Sequence, residues 1–237
     1  MNYLILCAMI NECQHIQNLF GCKHNMDILQ GSIITCNHED IDIGIGLTGI
    51  GMVNAAHTFT KIIENLNYIP KYVINTGCCG AHDENSKIED VVIGLEYIPL
   101  ANIIIDNNRT HYYGTREQDK IIKTWHSDSD LVKIANYSIT SASENFGIIG
   151  SSDIWHNNLE KINWWHKEFD TKCEDMEAAA LAQIADKYNI SFISIKDISN
   201  SIYIQNTKQF NGYDHDVPSF AGLKSAEFAL KIINNHK

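Results

Sequence analysis

The stretch MEAAALAQIADKYNISFISIKDISN, residues 176–200, joins an apolar helix to an apolar strand. Its first half, MEAAALAQIADKY, is rich in alanine and other good helix formers and predicts a helix. Its second half, ISFISIKDIS, is dominated by β-branched residues and predicts a strand buried on both faces. A buried helix followed by a buried strand is typical of an α/β fold whose sheet is covered on both sides.

The rest of the chain repeats this alternation. Strands are predicted in NYLILCAM, in a hairpin of SIITCN and DIDIGIGL around HED, and in KYVINTG, IEDVVIGLEYI and FGIIGSS. Helices are predicted near residues 11–20, in GIGMVNAAHTFTKIIENL and in VPSFAGLKSAEFALKIINNH, whereas residues 100–140 show only weak periodicity. The second of these helices is expected to bury one face formed by Val53, Ala56, Phe59 and Ile63. We predict a single α/β domain over residues 1–237, a three-layer sandwich with a mixed central sheet flanked by helices.

Composition narrows the possible function classes. The net charge of -11 and the lack of a basic stripe argue against a nucleic-acid partner. The start MNYLILCAMINEC lacks the basic region of a signal peptide, and no run approaches about 18 apolar residues, so we expect a cytoplasmic protein without a membrane segment. The cysteines and histidines show no disulfide-framework or metal-site spacing, so we expect reduced thiols and neither a metal nor a cofactor.

The chemically informative residues come directly after predicted strands, where ligands gather in α/β sheets. Glu12 follows the first strand, the turns TGIG and TGCCGA follow two others, and Ser199 and Asn200 follow ISFISIKDI. Singly, a glycine turn, an acid in a first helical turn or the Trp155 of SSDIWHN is typical of ordinary turns, caps and cores. The functional interpretation depends on the combination of these features.

Three acids, Glu174, Asp175 and Glu177, crowd the start of the predicted helix. An acid at this place is stabilised by the unpaired N–H groups of the first turn. The third acid lies directly before AAALA, where the helix enters the core, and a buried unpaired carboxylate is costly. The hydroxyl groups of a ligand would supply the missing partner.

Several motifs occur in a fixed order: Glu12 in AMINE, then GIGMVNAA, NTGCCG, the DIW of SSDIWHN, and EDMEAAA followed by ISN. This combination resembles the purine nucleoside phosphorylase/uridine phosphorylase superfamily. It is most similar to the 5'-methylthioadenosine/S-adenosylhomocysteine nucleosidase branch, over about residues 3–203. The resemblance implies an enzyme in which water attacks the ribose C1' while a purine leaves, through an oxocarbenium-like transition state.

The resemblance also implies a role for each matching residue. Glu12 would orient and deprotonate the water, Glu177 would bind the ribose hydroxyls, and Met176 would pack against the sugar. Trp155 would stack on the base, and the backbone of His156 would recognise its edge. The remaining substrate-binding residues would be Met9, Gly49, Ile50, Gly51, Cys78, Cys79, Gly80 and Ser199.

The nucleophile is predicted to be water rather than phosphate. Phosphorylases of the superfamily hold phosphate with arginines, including one just before the glycine turn, but here YVIN precedes that turn. The only arginines are Arg109 and Arg116, and neither lies in a phosphate motif. A dianion requires several charge-assisted donors, which this sequence does not supply.

Asn200 departs from the nucleosidases, whose turn usually carries an aspartate that protonates purine N7. An amide hydrogen-bonds N7 and the 6-substituent but cannot transfer a proton, and Asp197, earlier on the strand, is not expected to replace the acid. Three interpretations stay open. The protein cleaves adenine nucleosides with water supplying the proton, or it is a 6-oxopurine nucleosidase (futalosine or inosine type) or purine nucleoside phosphorylase, or it binds nucleosides without turnover.

Two further segments would complete the site. Members of the branch are dimers in which the segment around residues 100–115 closes the neighbour's site, and Tyr112 and Tyr113 are the candidates for that contact. A homodimer is therefore expected. The segment after Asn200 would cover the 5' substituent with the side chains of Tyr203, Phe210 and Tyr213.

Overall fold

The structure, a computed structural model, describes residues 2–22, 29–66, 68–100, 103–105, 110–112, 124–204 and 218–236. In chain order its elements are β1 Tyr3–Cys7, α1 Ile10–Leu19, β2 Ile33–His38, β3 Ile41–Leu47, α2 Met52–Asn65, β4 Tyr72–Ala81, β5 Val91–Pro99, β6 Ile103–Ile105, β7 Thr110–Tyr112, β8 Trp125–His126, α3 Ser129–Ser138, β9 Glu144–Ser151, α4 Leu159–Phe169, β10 Thr171–Asp175, α5 Ala178–Tyr188, β11 Ser191–Asn200 and α6 Leu223–Asn235. The prediction of a mixed α/β fold is confirmed.

Within the described ranges, one 9-stranded sheet organises the domain in the order β10-β9-β5-β11-β4-β1-β3-β2, with β8 paired to β5. Parallel pairs such as β1–β4, β4–β11 and β5–β9 alternate with antiparallel pairs, which include β2–β3 and β5–β11. Strand β10 pairs with β9 and also, antiparallel, with β4. This second pairing closes one half of the sheet into a ring and brings the ends of β10, β4 and β11 side by side.

Helices cover both faces of the sheet and complete the three layers. Helices α1, α3 and α6 pack together on one face, over a core that includes Ile5, Ile45 and Ile195. Helices α2 and α5 pack against each other on the other face, over a core that includes Leu4, Leu6 and Phe192. The side chains of consecutive strand residues alternate between these cores, as strand geometry requires.

The predicted buried face of α2 was wrong in part. The helix buries Ala55, Thr58, Phe59, Ile62 and Ile63, whereas Val53 is 76% exposed. Ala55 and Val53 are two positions apart, which is about 200° around a helix, so they cannot face the same layer. Ala56 is only half buried.

The glycine-rich stretch TGCCGA and the acidic stretch differ from their predicted local structure. TGCCGA was expected to be a turn, but it is the end of β4, because it pairs with β11 and β10. Glu174 and Asp175 lie in β10 rather than in a helix, and α5 begins only after Glu177. These residues are therefore held by sheet hydrogen bonds, which fixes the positions of their side chains.

The cysteines also differ from expectation. Cys22 and Cys36 form a disulfide, with Cα atoms 5.3 Å apart, so the expectation of reduced thiols was wrong for this pair. The spacing in sequence could not show the pairing, because it joins the segment after α1 to strand β2. Among the residues that the structure describes, no helix combines the length and the apolar character needed to span a membrane.

Candidate active site

A cavity of about 220 Å³ opens where β1, β3, β4, β10 and β11 end. Its lining comprises Ala8, Met9, Glu12, Ile50, Cys78, Cys79, Gly80, Ile154, Trp155, Glu174, Asp175, Met176, Glu177, Ser199 and Asn200. The structure therefore brings together, from distant parts of the chain, the residues of the predicted catalytic and substrate-binding set except Gly49, Gly51 and His156. Parallel strands deliver their carboxyl ends to one edge of a sheet, which is why residues so far apart in sequence meet.

Glu12 lies at the bottom of the cavity and is held by backbone N–H groups from two strand ends. Its Oε2 accepts hydrogen bonds from Ala8 N and Met9 N, and its Oε1 accepts one from Cys78 N, each at 3.0 Å. The bond to Met9 is the local cap of α1. The bond to Cys78 is not a cap, because Cys78 lies on β4. The carboxylate is thus oriented by the sheet as well as by its own helix.

Two glycines leave the space that the Glu12 side chain occupies. A Cβ on Gly77 would lie 2.6 Å from Glu12 Oε1, and a Cβ on Gly222 would lie 2.7 Å from Glu12 Cγ. Both glycines have positive φ, 149° for Gly77 and 85° for Gly222, where other residues are strained. Only glycine at these two positions leaves room for the Glu12 side chain.

Glu177 and Asp175 share a buried cation, Lys196 of β11. Lys196 Nζ lies 2.9 Å from Asp175 Oδ2 and 3.6 Å from Glu177 Oε2, and Gly51 N donates to Glu177 Oε1 at 3.0 Å. Burial raises the pKa of Glu177 to about 7, although Lys196 opposes the shift. Burial lowers the pKa of Lys196, but the carboxylates of Asp175 and Glu177 outweigh it and raise this pKa well above its ordinary value.

Lys196 was not among the residues predicted for the site. The sequence pattern could have identified it, because a lysine within a β-branched strand that is buried on both faces requires an acidic partner. Asp175 is this acidic partner, and it also caps α5. Its carboxylate accepts hydrogen bonds from Ala178 N at 3.0 Å and from Ser151 Oγ at 2.5 Å. All three crowded acids line the cavity, and Asp175 is in addition a structural cap and the counter-ion of Lys196.

Asp197 of β11 is not among the residues that line the cavity. Its carboxylate accepts hydrogen bonds from Gly222 N at 2.9 Å and Ser225 N at 3.0 Å, at the start of α6. Burial raises its pKa to about 7. Its contacts are those of a helix cap, consistent with the expectation that it does not replace the acid missing at Asn200.

The opposite end of the cavity is formed by Trp155, Gly80, Ser199, Asn200 and Glu174. Trp155 is 39% exposed, so its side chain is accessible to a planar ligand. Ser199 Oγ donates to Asn200 Oδ1 at 3.0 Å, and Asn200 Nδ2 lies 3.0 Å from the place a Cβ on Gly80 would take. The absence of a side chain on Gly80 leaves room for the amide.

His156 does not line the cavity. Its backbone N–H, the group expected to recognise the base, donates to Glu174 Oε1 at 3.1 Å, and its Nδ1 lies 2.5 Å from Glu174 Oε2. On the other side, His82 Nε2 lies 3.4 Å from Glu174 Oε2. Glu174, which was expected to be a cap or to lie behind the residues that contact the ligand, lines the cavity and holds the His156 backbone.

The remaining predicted residues fall into two groups. Tyr203 is described but lies outside the cavity lining, with its hydroxyl 2.7 Å from Asn163 Oδ1 and 3.2 Å from His82 O. Tyr112 belongs to the short strand β7. The others lie outside the described residues, namely Arg109, Tyr113, Arg116, Phe210 and Tyr213.

The chain is similar in sequence to curated proteins. The curated relatives include 5'-methylthioadenosine/S-adenosylhomocysteine nucleosidases of Lysinibacillus sphaericus and Bacillus cytotoxicus. The first is 26% identical over 237 residues, covering 98% of this chain and 99% of the relative. The second is 28% identical over 232 residues, covering 95% of this chain and 91% of the relative.

Solved structures share the fold. A Helicobacter pylori MTAN mutant with 5'-methylthioadenosine in its active site has a TM-score of 0.79 and 21% identity, covering 98% of each chain. The futalosine hydrolase of Helicobacter pylori has a TM-score of 0.75 and 19% identity, covering 98% of this chain and 97% of the other.

A family model confirms the resemblance drawn from the motifs. The model described as the phosphorylase superfamily matches residues 2–233. The match includes the strand ends that carry Glu12, Glu177 and Asn200, and it extends over the whole sheet. The chain belongs to the phosphorylase superfamily.

Proposed function

We propose that this protein is a purine nucleosidase that hydrolyses the N-glycosidic bond of 5'-methylthioadenosine/S-adenosylhomocysteine-like nucleosides to the free base and the ribosyl product. The observation that carries the proposal is the meeting of Glu12, Glu177 and Trp155 in one cavity. The names of the curated relatives, matched over nearly their whole length, support it.

The chemistry follows from where these groups lie. The hydroxyl groups of a ribose that lies between Glu12 and Glu177 donate hydrogen bonds to Glu177. The apolar side chains of Met9, Ile50 and Met176 lie beside the sugar. Glu12, fixed by its N–H donors, accepts a proton from a water molecule as the water oxygen bonds to C1'. A placed general base of this kind contributes about 10²–10⁴-fold to the rate. The C1'–N9 bond breaks, and its electron pair leaves with the purine.

Asn200 assists the departure of the base without protonating it. Its amide reaches the end of the cavity over Gly80 and stabilises the leaving purine through hydrogen bonds. A water molecule then supplies the proton that the base requires, and the proton held by Glu12 neutralises the hydroxide that remains, so that Glu12 is ionised again. Trp155 stacks on the ring and holds its plane.

The charge of the cavity supports water over phosphate as the nucleophile. Four carboxyl groups line it, those of Glu12, Glu174, Asp175 and Glu177, and its described lining includes no lysine or arginine. Lys196, directly behind Asp175 and Glu177, is already paired with both. A phosphate dianion would meet repulsion without the charge-assisted donors that it requires.

The quaternary state and location belong to the same proposal: a cytoplasmic homodimer that uses no cofactor. Ile50, Ile154 and Val53 are exposed at and beside the mouth of the cavity. Clustered exposed apolar residues are typical of protein interfaces. The resemblance to a branch of dimeric enzymes supports a partner subunit on this side.

A base-release assay tests the function. Purified protein is incubated with a panel of purine nucleosides, with and without phosphate, and the free base is quantified. We expect release that phosphate does not accelerate, a loss of about 10²-fold or more in kcat for Glu12→Gln, and none for the exposed control Glu160→Gln. Nucleoside binding without release of any base would instead identify a non-catalytic binder.

A further inference from the structure

Helix α6 is capped by a side chain from another element. The residue at its N-cap is Gly222, which has no side chain to cap the helix, and its φ of 85° favours glycine. The unpaired N–H groups of the first turn therefore need an acceptor from elsewhere in the fold. Asp197 of β11 is that acceptor. Its Oδ1 accepts from Gly222 N at 2.9 Å, and its Oδ2 accepts from Ser225 N at 3.0 Å.

The turn that Asp197 caps lies directly against the stem of the Glu12 side chain. A Cβ on Gly222 would lie 2.7 Å from Glu12 Cγ and 3.3 Å from Glu12 Cβ. One residue earlier, Ala221 O accepts a hydrogen bond from Asn11 Nδ2 at 3.2 Å, and Asn11 precedes Glu12 on α1. The stem of Glu12 is thus packed against backbone whose position depends on Asp197.

Ser225 extends this contact to the carboxylate of Glu12. Its N–H is held by Asp197, and its Oγ accepts a hydrogen bond from Gly77 N at 3.1 Å. Gly77 lies against the carboxylate, because a Cβ there would be 2.6 Å from Glu12 Oε1. The next residue, Cys78, donates its N–H to the same Oε1 at 3.0 Å. Asp197 therefore supports both the stem and the carboxylate of Glu12.

Asp197 is only 1% exposed, and a buried carboxylate is costly unless it is well hydrogen-bonded. An asparagine would have nearly the same shape. Its oxygen would accept one of the two backbone hydrogen bonds, but its N–H₂ group would face the second backbone donor. Asp197→Asn therefore disturbs the start of α6 with little change in volume.

We propose that Asp197 is a positioning residue for Glu12: it holds the start of α6 so that the Glu12 carboxylate keeps the orientation in which it accepts a proton from water. This inference rests on the proposed nucleosidase function. A cap that only stabilised α6 would contribute to the free energy of unfolding and leave the active site of folded molecules unchanged. A comparison with another helix cap separates the two roles.

Asp128 provides the matched control. Its Oδ1 accepts from Asp130 N at 2.9 Å and from Leu131 N at 3.1 Å, at the start of α3. It caps a helix as Asp197 does, but it is not among the residues that line the cavity. Asp128→Asn thus removes the same charge from the same kind of contact, away from Glu12.

The kinetic test uses the nucleoside that wild type cleaves fastest, below the unfolding midpoint of every variant. Burial raises the pKa of Asp197 to about 7, so the assays are run above that pH, where the carboxylate is ionised. In Asp197→Asn, kcat should fall roughly 10- to 100-fold with little change in KM, because only the chemical step depends on the orientation of Glu12. Asp128→Asn should keep the wild-type kcat.

A double variant distinguishes a misplaced Glu12 from a loss of folded protein. In the Glu12→Gln background, Asp197→Asn should cause no further loss of kcat, because the group that it positions is already absent. A smaller folded fraction would instead lower kcat by the same factor in both backgrounds. Such additive losses would overturn the inference.

Amide hydrogen exchange gives a readout that requires no turnover. The N–H groups of Ala8, Met9 and Cys78 donate to Glu12. In Asp197→Asn, but not in Asp128→Asn, their exchange should accelerate more than that of core amides such as Ile5 N. Base release by wild type, together with an unchanged kcat in Asp197→Asn, would overturn this inference and leave the proposed function standing. Selective acceleration in a protein that releases no base would do the reverse.

Discussion

Lys196 Nζ lies 2.9 Å from Asp175 Oδ2, and both side chains are almost completely buried. This pair joins β11 to the end of β10 directly behind the cavity, with Glu177 as a second partner of the lysine at 3.6 Å. One buried cation therefore neutralises two carboxylates, one structural and one that faces the ligand.

Lys196→Met is expected to destabilise the fold strongly. Removing one partner of a buried ion pair leaves an uncompensated charge and costs about 3–5 kcal/mol. Urea unfolding would measure the loss, with Lys133→Met as the control, because Lys133 pairs with Asp130 in solvent. Equal unfolding curves for Lys196→Met and Lys133→Met would show that Asp175 and Glu177 do not depend on the lysine.

Sugar binding is expected to depend on pH through Glu177. Its pKa is raised to about 7, mainly by burial, so the carboxylate protonates as the pH falls below that value and accepts the ribose hydroxyls less well. We expect kcat/KM to fall about tenfold for each pH unit below this pKa. In Glu177→Gln, activity should be lower and this acidic limb absent. Persistence of the same limb in the variant would assign it to another group.

Trp155→Ala is expected to weaken base binding with little effect on stability. Stacking on an aromatic side chain contributes about 1–3 kcal/mol per base, so KM should rise roughly 10- to 100-fold. Because the indole is 39% exposed, the unfolding midpoint should change little. Trp155→Phe should restore most of the affinity, and equal KM values for the alanine variant and wild type would exclude stacking at this position.

Gly80→Ala is expected to impair catalysis through Asn200. The new Cβ would lie 3.0 Å from Asn200 Nδ2, so the amide must shift from its position over the strand. The amide has to give way by a few tenths of an ångström, so we expect kcat/KM to fall by less than the roughly 10²-fold that a misplacement of about 1 Å costs. If the effect passes through Asn200, the double variant with Asn200→Ala should be no worse than Asn200→Ala alone. Additive losses would point to a direct clash between the new methyl group and the base.

The sequence alone predicted the fold class and most of the cavity. Alternating apolar segments define strands and helices locally, and residues just after parallel strands must meet at one edge of the sheet. Together with the resemblance to the nucleosidase branch, this pattern predicted that Glu12, Glu177, Trp155 and Asn200 belong to one site, and all four line the cavity. The prediction for Val53 failed because the pattern in α2 admitted two overlapping faces, and only packing on the sheet selects one.

Only the tertiary structure decided the contacts that tune the site. The antiparallel pairing of β10 with β4 sets Glu174 beside Gly80, and the Glu174 carboxylate accepts a hydrogen bond from the His156 N–H. The burial of Lys196 against Asp175 likewise depends on two strands that are not adjacent in the sheet. Local patterns reflect periodicity within one element, whereas a hydrogen bond or ion pair between distant elements depends on register and on closure of the sheet. The sequence determines these contacts only through the whole fold.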